Sequence, residues 1–229
     1  MKNNFIEHLF LATFFLLYSA SSISAQEFEE PSREDLNPQV IAQITTMTER
    51  YSKHRKKTTD IYKAHGYDSK QMLDNETLIY EDDLKNRAIA KKVFKKHGYP
   101  GISMVGKEKS HEFWVIVQNC NMDVDFQLAV LKVTDKLIYR GEADAHDYAY
   151  LSDRVRINLG QKQIYGTQVE FNKAKNSYEP FELNKPEEVD ARRQELNLES
   201  MAKYIDKMNK KYEGTLKRKP RTRRYIKKP

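Results

Sequence analysis

The spacing of apolar residues is the feature that most constrains the fold, because intervals of three and four recur along most of the chain. Val40, Ile44, Met47 and Tyr51 follow this spacing, which places them on one stripe of an α-helix that we expect to end at Gly66. The other segments predicted to be helical cover residues 68–97, 110–119, 123–141, 144–159, 186–196 and 201–208. The sequence therefore predicts a mainly α fold, a compact helical domain.

Two segments depart from this pattern. The stretch GYPGISMVG, residues 98–106, contains three glycines and a proline, so we expect a loop there. Val169 and Phe171, followed by Tyr178 and Phe181, flank a polar stretch and alternate in the manner of short strands. This pattern predicts one small β-hairpin near the C-terminal third.

Both ends of the chain differ in composition from the middle. Residues 1–25 carry a lysine, an apolar run of ten residues from Leu9 to Tyr18, and small residues up to Ala25. This layout predicts a secretory signal peptide, because a membrane anchor needs about twenty apolar residues. We expect an acidic linker over 26–37, a single helical domain over 38–212 and a basic disordered tail over 213–229. The expected location is secreted or periplasmic.

The positive charge of the chain is concentrated in that tail. The formal net charge is +7, and the segment 217–229 holds eight Lys or Arg and no acid, so the rest of the chain carries −1. Such a tail is attracted to anionic surfaces. A solvated tail without a specific partner is the alternative, and composition favours it.

Signatures of several enzyme classes are missing from the sequence. It contains no glycine-rich phosphate loop, no HExxH motif and no paired cysteines, so we predict no cofactor and no metal. Asp144, His146 and Asp147 lie close together, but an acid followed by another three positions later is typical of a helix start. Cys120, the only cysteine, follows an apolar run and is expected to be a buried, unreactive thiol.

The stretch GQKQIYGTQVEF, residues 160–171, is rich in uncharged hydrogen-bonding groups. Tyr165, Thr167 and Gln168 could orient a polar ligand, or they could satisfy buried backbone groups where a helix meets the hairpin. On the preceding helix, Asp153 lies about 200° from Leu151 and therefore away from the apolar stripe. Arg154 lies near its edge, where it could hold an anionic ligand or tie the helix to a loop.

Several of these stretches together resemble the bacterial domain of unknown function 6624 family over roughly residues 80–205: GYPGISMVG, the aromatic segment ending in Gln118, AYLSDRV, GQKQIYGTQ and PEEVDARRQELNL. The resemblance implies a shared fold and a common set of polar positions but no established activity. The positions matched here are Ser103, Gly106, Gln118, Asp153, Arg154, Tyr165, Gly166, Thr167, Gln168 and Arg193.

Members of that family often have a histidine directly after the glutamine that matches Gln118, whereas this chain has Asn119. An amide cannot titrate near neutral pH, so an acid–base role at that position would be absent here. His111 lies nearby in sequence and is the substitute that we predict.

Three hypotheses about function follow from these observations. The first is binding of a polar ligand or partner through Gln118, Arg154, Tyr165, Thr167, Gln168 and Arg193. The second is a hydrolase or transferase in which Asp153 acts as the base, with His111 as a further catalytic candidate and Arg154 holding an anionic group. The third is a structural domain delivered to an anionic surface by its tail.

Overall fold

The computed structural model describes residues 36–172 and 174–212 of the chain. The predicted signal peptide and basic tail, and all of the predicted linker except its last two residues, lie outside this part. The described residues form a mainly helical fold with one two-stranded antiparallel hairpin, which confirms the predicted fold class. In chain order the α-helices are α1 (Pro38–Arg55), α2 (Thr58–His65), α3 (Lys70–His97), α4 (Ile102–Val105), α5 (Lys107–Gln118), α6 (Val124–Leu137), α7 (Ala145–Asn158), α8 (Val189–Glu195) and α9 (Met201–Tyr212).

Capping side chains explain where four of the helices begin. Asn37, Ser69, Asp123 and Asp144 cap α1, α3, α6 and α7, because each side chain accepts a hydrogen bond from a free backbone N–H of the first turn. A 3₁₀ turn, Ile138–Arg140, continues α6 until Gly141, whose φ of 72° ends it. No helix in the part of the chain that the structure describes is long and apolar enough to cross a membrane.

Three predicted boundaries are wrong. The first predicted helix is divided into α1 and α2 by a turn at residues 56–57. The predicted loop over 98–106 contains the short helix α4. The helix predicted over 110–119 begins three residues earlier, at Lys107, so Ser110 is buried within α5.

The largest core lies between α1, α3, α5, α6 and α7. It is built on the predicted apolar stripes, with Ile44, Met47, Phe113, Val117 and Leu151 almost completely buried. Cys120 is also buried in this core, as predicted, and burial raises the pKa of its thiol to about 12.

A second, smaller cluster joins the hairpin to α9. The strands β1 (Val169–Asn172) and β2 (Ser177–Pro180) pair antiparallel, and Val169 packs with Tyr204 and Met208 of the last helix. Residues 159–168 connect the end of α7 to this unit, and they contain the polar stretch that the sequence singled out.

Candidate functional site

Asp153 holds the connection between α7 and the hairpin in place. Its side chain has 0% of its surface exposed. One carboxylate oxygen accepts hydrogen bonds from the backbone N–H groups of Ile164 at 2.7 Å and Tyr165 at 3.0 Å. The other accepts from the backbone N–H and the hydroxyl of Thr167, at 2.8 and 3.0 Å. Four donors from this connection therefore bind one acid. We call residues 160–168 the clamped loop.

Two arginines bind carbonyl groups of the same loop. Arg192 Nε donates to the carbonyl of Ile164 at 2.8 Å, and Arg193 donates to the carbonyl of Tyr165 at 2.6 Å and to that of Glu199 at 2.6 Å. Arg193 is 1% exposed. The peptide groups of the clamped loop therefore lie between a buried carboxylate and two guanidinium groups.

The amide side chains join the clamped loop to the hairpin. Gln163 donates to the carbonyls of Gln168 and Phe181 at 3.0 and 2.9 Å, and accepts from the backbone N–H of Gln168 at 2.8 Å. The Gln168 side chain donates to the Thr167 hydroxyl at 3.2 Å. Tyr204 donates its hydroxyl to the carbonyl of Thr167 at 2.7 Å. The hydrogen-bonding groups of this polar stretch thus satisfy one another and nearby backbone.

Gly166 is required by the shape of the clamped loop. Its φ of +69° is strained for any residue with a Cβ atom. A Cβ added there would also lie 2.6 Å from Met201 Sδ and 3.2 Å from a methyl carbon of Leu183. Both backbone conformation and close packing therefore explain the glycine.

The structure thus brings Asp153, Thr167, Gln168 and Arg193 together, but inside the protein. Burial raises the pKa of the Asp153 carboxyl, and its four hydrogen bonds oppose that shift. Both carboxylate oxygens are engaged by the clamped loop and none of the side chain is exposed, and the catalytic role of Asp153 stays a prediction. Asp153 is buried although it lies away from the apolar stripe of α7, because the clamped loop covers that side of the helix.

The other predicted ligand-binding residues are partly exposed. Gln118 is the last residue of α5 and its backbone carbonyl accepts from Gln127 at 3.3 Å. Arg154 follows Asp153 on α7. The Tyr165 ring lies edge-on to Tyr148, with 6.4 Å between the centroids. Within the described ranges, the side chains of Gln118 and Tyr165 form no hydrogen bond to the residues around Asp153, so their ligand-binding role stays a prediction.

His111 and Asp147 form a pair that joins α5 to α7. Nδ1 of the imidazole lies 3.0 and 2.9 Å from the two carboxylate oxygens. The His111 side chain is 43% exposed, whereas that of Asp147 is 9% exposed. The imidazole also stacks on Trp114, with 5.1 Å between ring centroids and 27° between planes. The acid is therefore buried behind a histidine whose Nδ1 is engaged and whose side chain is partly exposed.

The two groups share a hydrogen bond and therefore titrate as a unit. Burial raises the pKa of Asp147 to about 7, opposed by its hydrogen bond to the imidazole. Burial lowers the pKa of His111, but the hydrogen bond and charge of Asp147, helped by Asp144 and Glu112, outweigh this and raise it above the ordinary value. A group poised in this range can both accept and release a proton under physiological conditions.

Sequence reasoning identified His111 but missed Asp147. The segment EADAHD was interpreted as a helix start, and the cap is confirmed, since Asp144 accepts from the backbone N–H groups of His146 and Asp147. Asp147 is three residues beyond this cap, and its pairing with a histidine 36 positions away depends on how α5 and α7 pack. No cluster of His, Cys, Asp or Glu suited to a metal ion occurs among the described residues.

Asn119 lies on a different side of α5. Its side chain donates to the carbonyl of Val115 at 2.7 Å and to the Tyr51 hydroxyl at 3.4 Å. A histidine in this position would stand at the contact with α1, and not beside Asp147. His111 is therefore no positional replacement for it, although it has an acid partner of its own.

Fold and site together define a mainly helical domain with a buried acid clamp and an exposed, acid-paired histidine. Residues 38–219 match the model of a family of unknown function, DUF6624, and the chain belongs to this family. The match begins at the start of α1, well before the region of resemblance noted from the motifs. Searches of the curated proteins and of the solved structures found no match.

Proposed function

We propose that this protein is exported, binds a polar ligand at the outer face of α5 and α7, and uses His111 to move a proton to or from that ligand. The observation that carries the proposal is the pairing of a half-exposed imidazole with a buried carboxylate. Surface histidines seldom need such a partner, and an acid taken out of water is costly unless it is hydrogen-bonded. The arrangement is typical of histidines that act as general bases.

The geometry suits this chemistry in three respects. Nδ1–H of the neutral ring donates a hydrogen bond to Asp147, which leaves the lone pair of Nε2 for a ligand. The stacking on Trp114 holds the ring plane. When Nε2 takes a proton from water or a ligand hydroxyl, the carboxylate stabilises the imidazolium that forms. Hydrolysis or group transfer on a polar substrate is therefore the reaction class that we propose.

Partly exposed polar residues on the same helices would orient the ligand. Gln118 lies seven residues after His111 on α5, and Arg154 lies seven residues after Asp147 on α7. Seven residues are close to two helical turns, so each lies on the same stripe as the corresponding member of the pair. The amide can bind a hydroxyl or carbonyl, and the guanidinium can bind a carboxylate or phosphate.

The histidine itself provides the first test. Long-range ¹H–¹⁵N NMR spectra recorded across pH should show the His111 ring protonated on Nδ1 in its neutral form, with a pKa above that of an ordinary histidine. Asp147→Asn should lower this pKa, because the charge that stabilises the imidazolium is removed. An unshifted titration in the wild-type protein would contradict the proposed pairing.

Activity is then measured with a panel of chromogenic esters, phosphate esters and amides. For any substrate that the wild-type protein turns over, His111→Gln should reduce kcat/KM by about 100-fold or more, the usual contribution of a general base. His146→Gln is the matched control, because His146 is an exposed histidine that directly precedes Asp147 on α7. Equal activity in both variants would refute the catalytic role of His111.

Export has a separate test. If residues 1–25 are a signal peptide, they are cleaved off during export and are missing from the protein outside the cytoplasm. N-terminal sequencing of protein recovered from the periplasm or the medium of a bacterial host should begin at Gln26. Retention of the full-length chain in the cytoplasm would contradict export without bearing on the acid–base role.

A further inference from the structure

A groove lined mainly by polar and basic residues follows the contact between α1 and α3. Its larger part has a volume of about 640 Å³ and is lined by residues of α1 between positions 46 and 56, and by Asp82 and Lys85 of α3. A smaller part lies towards the other end of the same two helices, where Gln39 and Lys92 are among the lining residues. We call both parts together the α1–α3 groove.

The two parts lie on one face of the helix pair. The helices are antiparallel, since Arg50 of α1 bonds to Asn86 of α3 and Arg55 bonds to Asp83. At about 100° per residue, four lining residues of α1 lie within an arc of about 60°, and so do three lining residues of α3. These residues are Gln39, Thr46, Arg50 and Lys53 on α1, and Lys85, Lys92 and Lys96 on α3.

Most cations of the groove have no acidic partner. Six lysine or arginine residues and two acids line it. Four of the lysines are exposed and form no ion pair with any residue that the structure describes: Lys53, Lys56, Lys92 and Lys96. Arg50 donates to an amide side chain of α3 at 2.8 Å. Neighbouring cations repel one another, so a ligand with several negative charges is favoured there.

One of the two acids calls for hydrogen-bond donors. Asp82 lines the groove although only 9% of its surface is exposed. Its oxygens lie 3.7 Å from His54 Nε2 and 4.0 Å from Lys85 Nζ, both too long for a hydrogen bond. No residue in the described ranges donates a hydrogen bond to its Oδ2 atom. A carboxylate removed from water to this extent is stabilised by donors, and a hydroxyl of a ligand in the groove is such a donor.

We propose that the α1–α3 groove binds a linear polyuronate, a polysaccharide with one carboxylate and free hydroxyls on each sugar. Its carboxylates bind Arg50 and the lysines, while its hydroxyls donate to Asp82 and bond to the polar side chains of Gln39 and Thr46. From Gln39 to Lys56 the groove is about 25 Å long, at about 1.5 Å per residue of helix. This length suits an extended chain of several sugars.

Other polyanions match these features less well. Single-stranded nucleic acids are bound by aromatic side chains that stack on the bases, and no Phe, Tyr or Trp lines the groove in the part of the chain that the structure describes. A heavily sulfated polysaccharide has few free hydroxyls, so it would repel Asp82 without supplying a donor. The groove contains neither His111 nor Asp147, and the proposal does not depend on the proposed catalysis.

The test follows backbone amide resonances of the full chain by NMR during titration with hexagalacturonate. The basic segment 217–229 also attracts anions, so binding is assigned only from resonances of α1 and α3, which should shift together. The fully methyl-esterified hexamer has the same backbone without the charge and should bind at least about 10-fold more weakly, because its ionic contacts are lost. Equal affinity for the ester, or no shift in α1 and α3, would overturn the proposal.

Two charge-matched variants locate the site. Lys53→Gln combined with Lys92→Gln removes one cation from each part of the groove. It should weaken hexagalacturonate binding about 3- to 10-fold, as expected for the loss of two exposed ionic contacts. Lys132→Gln combined with Lys136→Gln removes two exposed lysines of α6 and should leave the affinity nearly unchanged. An equal loss in both variants would show that only the net charge of the protein matters.

Asp82→Asn separates hydroxyl recognition from attraction by charge. Removal of a negative charge should strengthen binding if charge alone acts, whereas a weaker acceptor for ligand hydroxyls should reduce the affinity about 3-fold. Circular dichroism checks the fold, and Glu49→Ala, at an exposed lining position, should change the affinity in the same direction. Unchanged or tighter binding in both variants, or a higher affinity for a six-nucleotide oligothymidylate than for hexagalacturonate, would overturn the assignment to a polyuronate.

Discussion

Replacing Asp153 with asparagine tests the role assigned to the acid clamp. The substitution keeps size and shape but exchanges one oxygen for an amide nitrogen. If the remaining oxygen accepts from Ile164 and Tyr165, the new NH₂ group faces the backbone N–H and the hydroxyl of Thr167. The hydroxyl can rotate to accept a hydrogen bond, but the backbone N–H cannot.

The expected loss follows from this geometry. One buried backbone N–H without an acceptor costs about 1–3 kcal/mol. The hydrogen bonds that remain become weaker, because a charged acceptor forms bonds roughly twice as strong as a neutral one. Removing a buried charge also removes its desolvation penalty, which offsets part of this loss of stability. We expect Asp153→Asn to lower the free energy of unfolding by about 2–4 kcal/mol, a large part of the roughly 5–15 kcal/mol typical of a domain.

Urea denaturation followed by circular dichroism and by Trp114 fluorescence measures this loss. Thr167→Val removes only the hydroxyl hydrogen bonds and should cost about 1 kcal/mol. Asp206→Asn is the control, because Asp206 forms an exposed pair with Lys210 and such pairs contribute little. An Asp153→Asn protein within about 0.5 kcal/mol of the wild type would refute the clamp, since a single orphaned N–H costs more.

Three further predictions follow from groups described above. Folding raises the pKa values of His111 and Asp147, so the unfolded chain releases these two protons at a lower pH than the folded protein does. The free energy of unfolding should therefore fall as pH rises from about 4 to above 7. A rise in urea midpoint over that interval would contradict this. Gly166→Ala should destabilise the protein much more than Gly160→Ala. Both glycines have a φ of +69°, but a Cβ at Gly160 would meet no atom within 4 Å, whereas one at Gly166 would lie 2.6 Å from Met201 Sδ. Equal thermal midpoints would show that packing at Gly166 is unimportant. Cys120 should react with a thiol reagent at the rate of global unfolding, because burial raises its pKa to about 12; fast modification of the native protein would contradict the burial.

The elements that were predicted correctly from the sequence are those set by local patterns. The stripe containing Ile44 and Met47 identifies α1 because a helix brings every third or fourth residue to one side. The helix start at Asp144 was correct because the acceptor and its N–H partners are neighbours in sequence. The hairpin was recognised from alternation around Phe171.

The site could be predicted only in part, because its geometry depends on contacts between distant segments. The sequence placed Asp153 away from the apolar stripe, but it could not show that the clamped loop folds back over that side of α7. It also offered two explanations for Thr167 and Gln168, and only coordinates could show that their hydrogen-bonding groups are used internally. The partner of His111 was missed because Asp147 had a complete local explanation in the first turn of a helix.

The position of the clamped loop between opposite charges links two residues that do not touch. Asp153 accepts a hydrogen bond from the amide N–H of Tyr165, and Arg193 donates to the carbonyl oxygen of the same residue, so the two ions hold the peptide units on either side of one Cα atom. Loss of either ion frees one side of Tyr165 to move, and a second substitution that removes the other ion should then do less harm than it would alone. Acid and base at these sites are consequently expected to be kept or lost together as the sequence diverges.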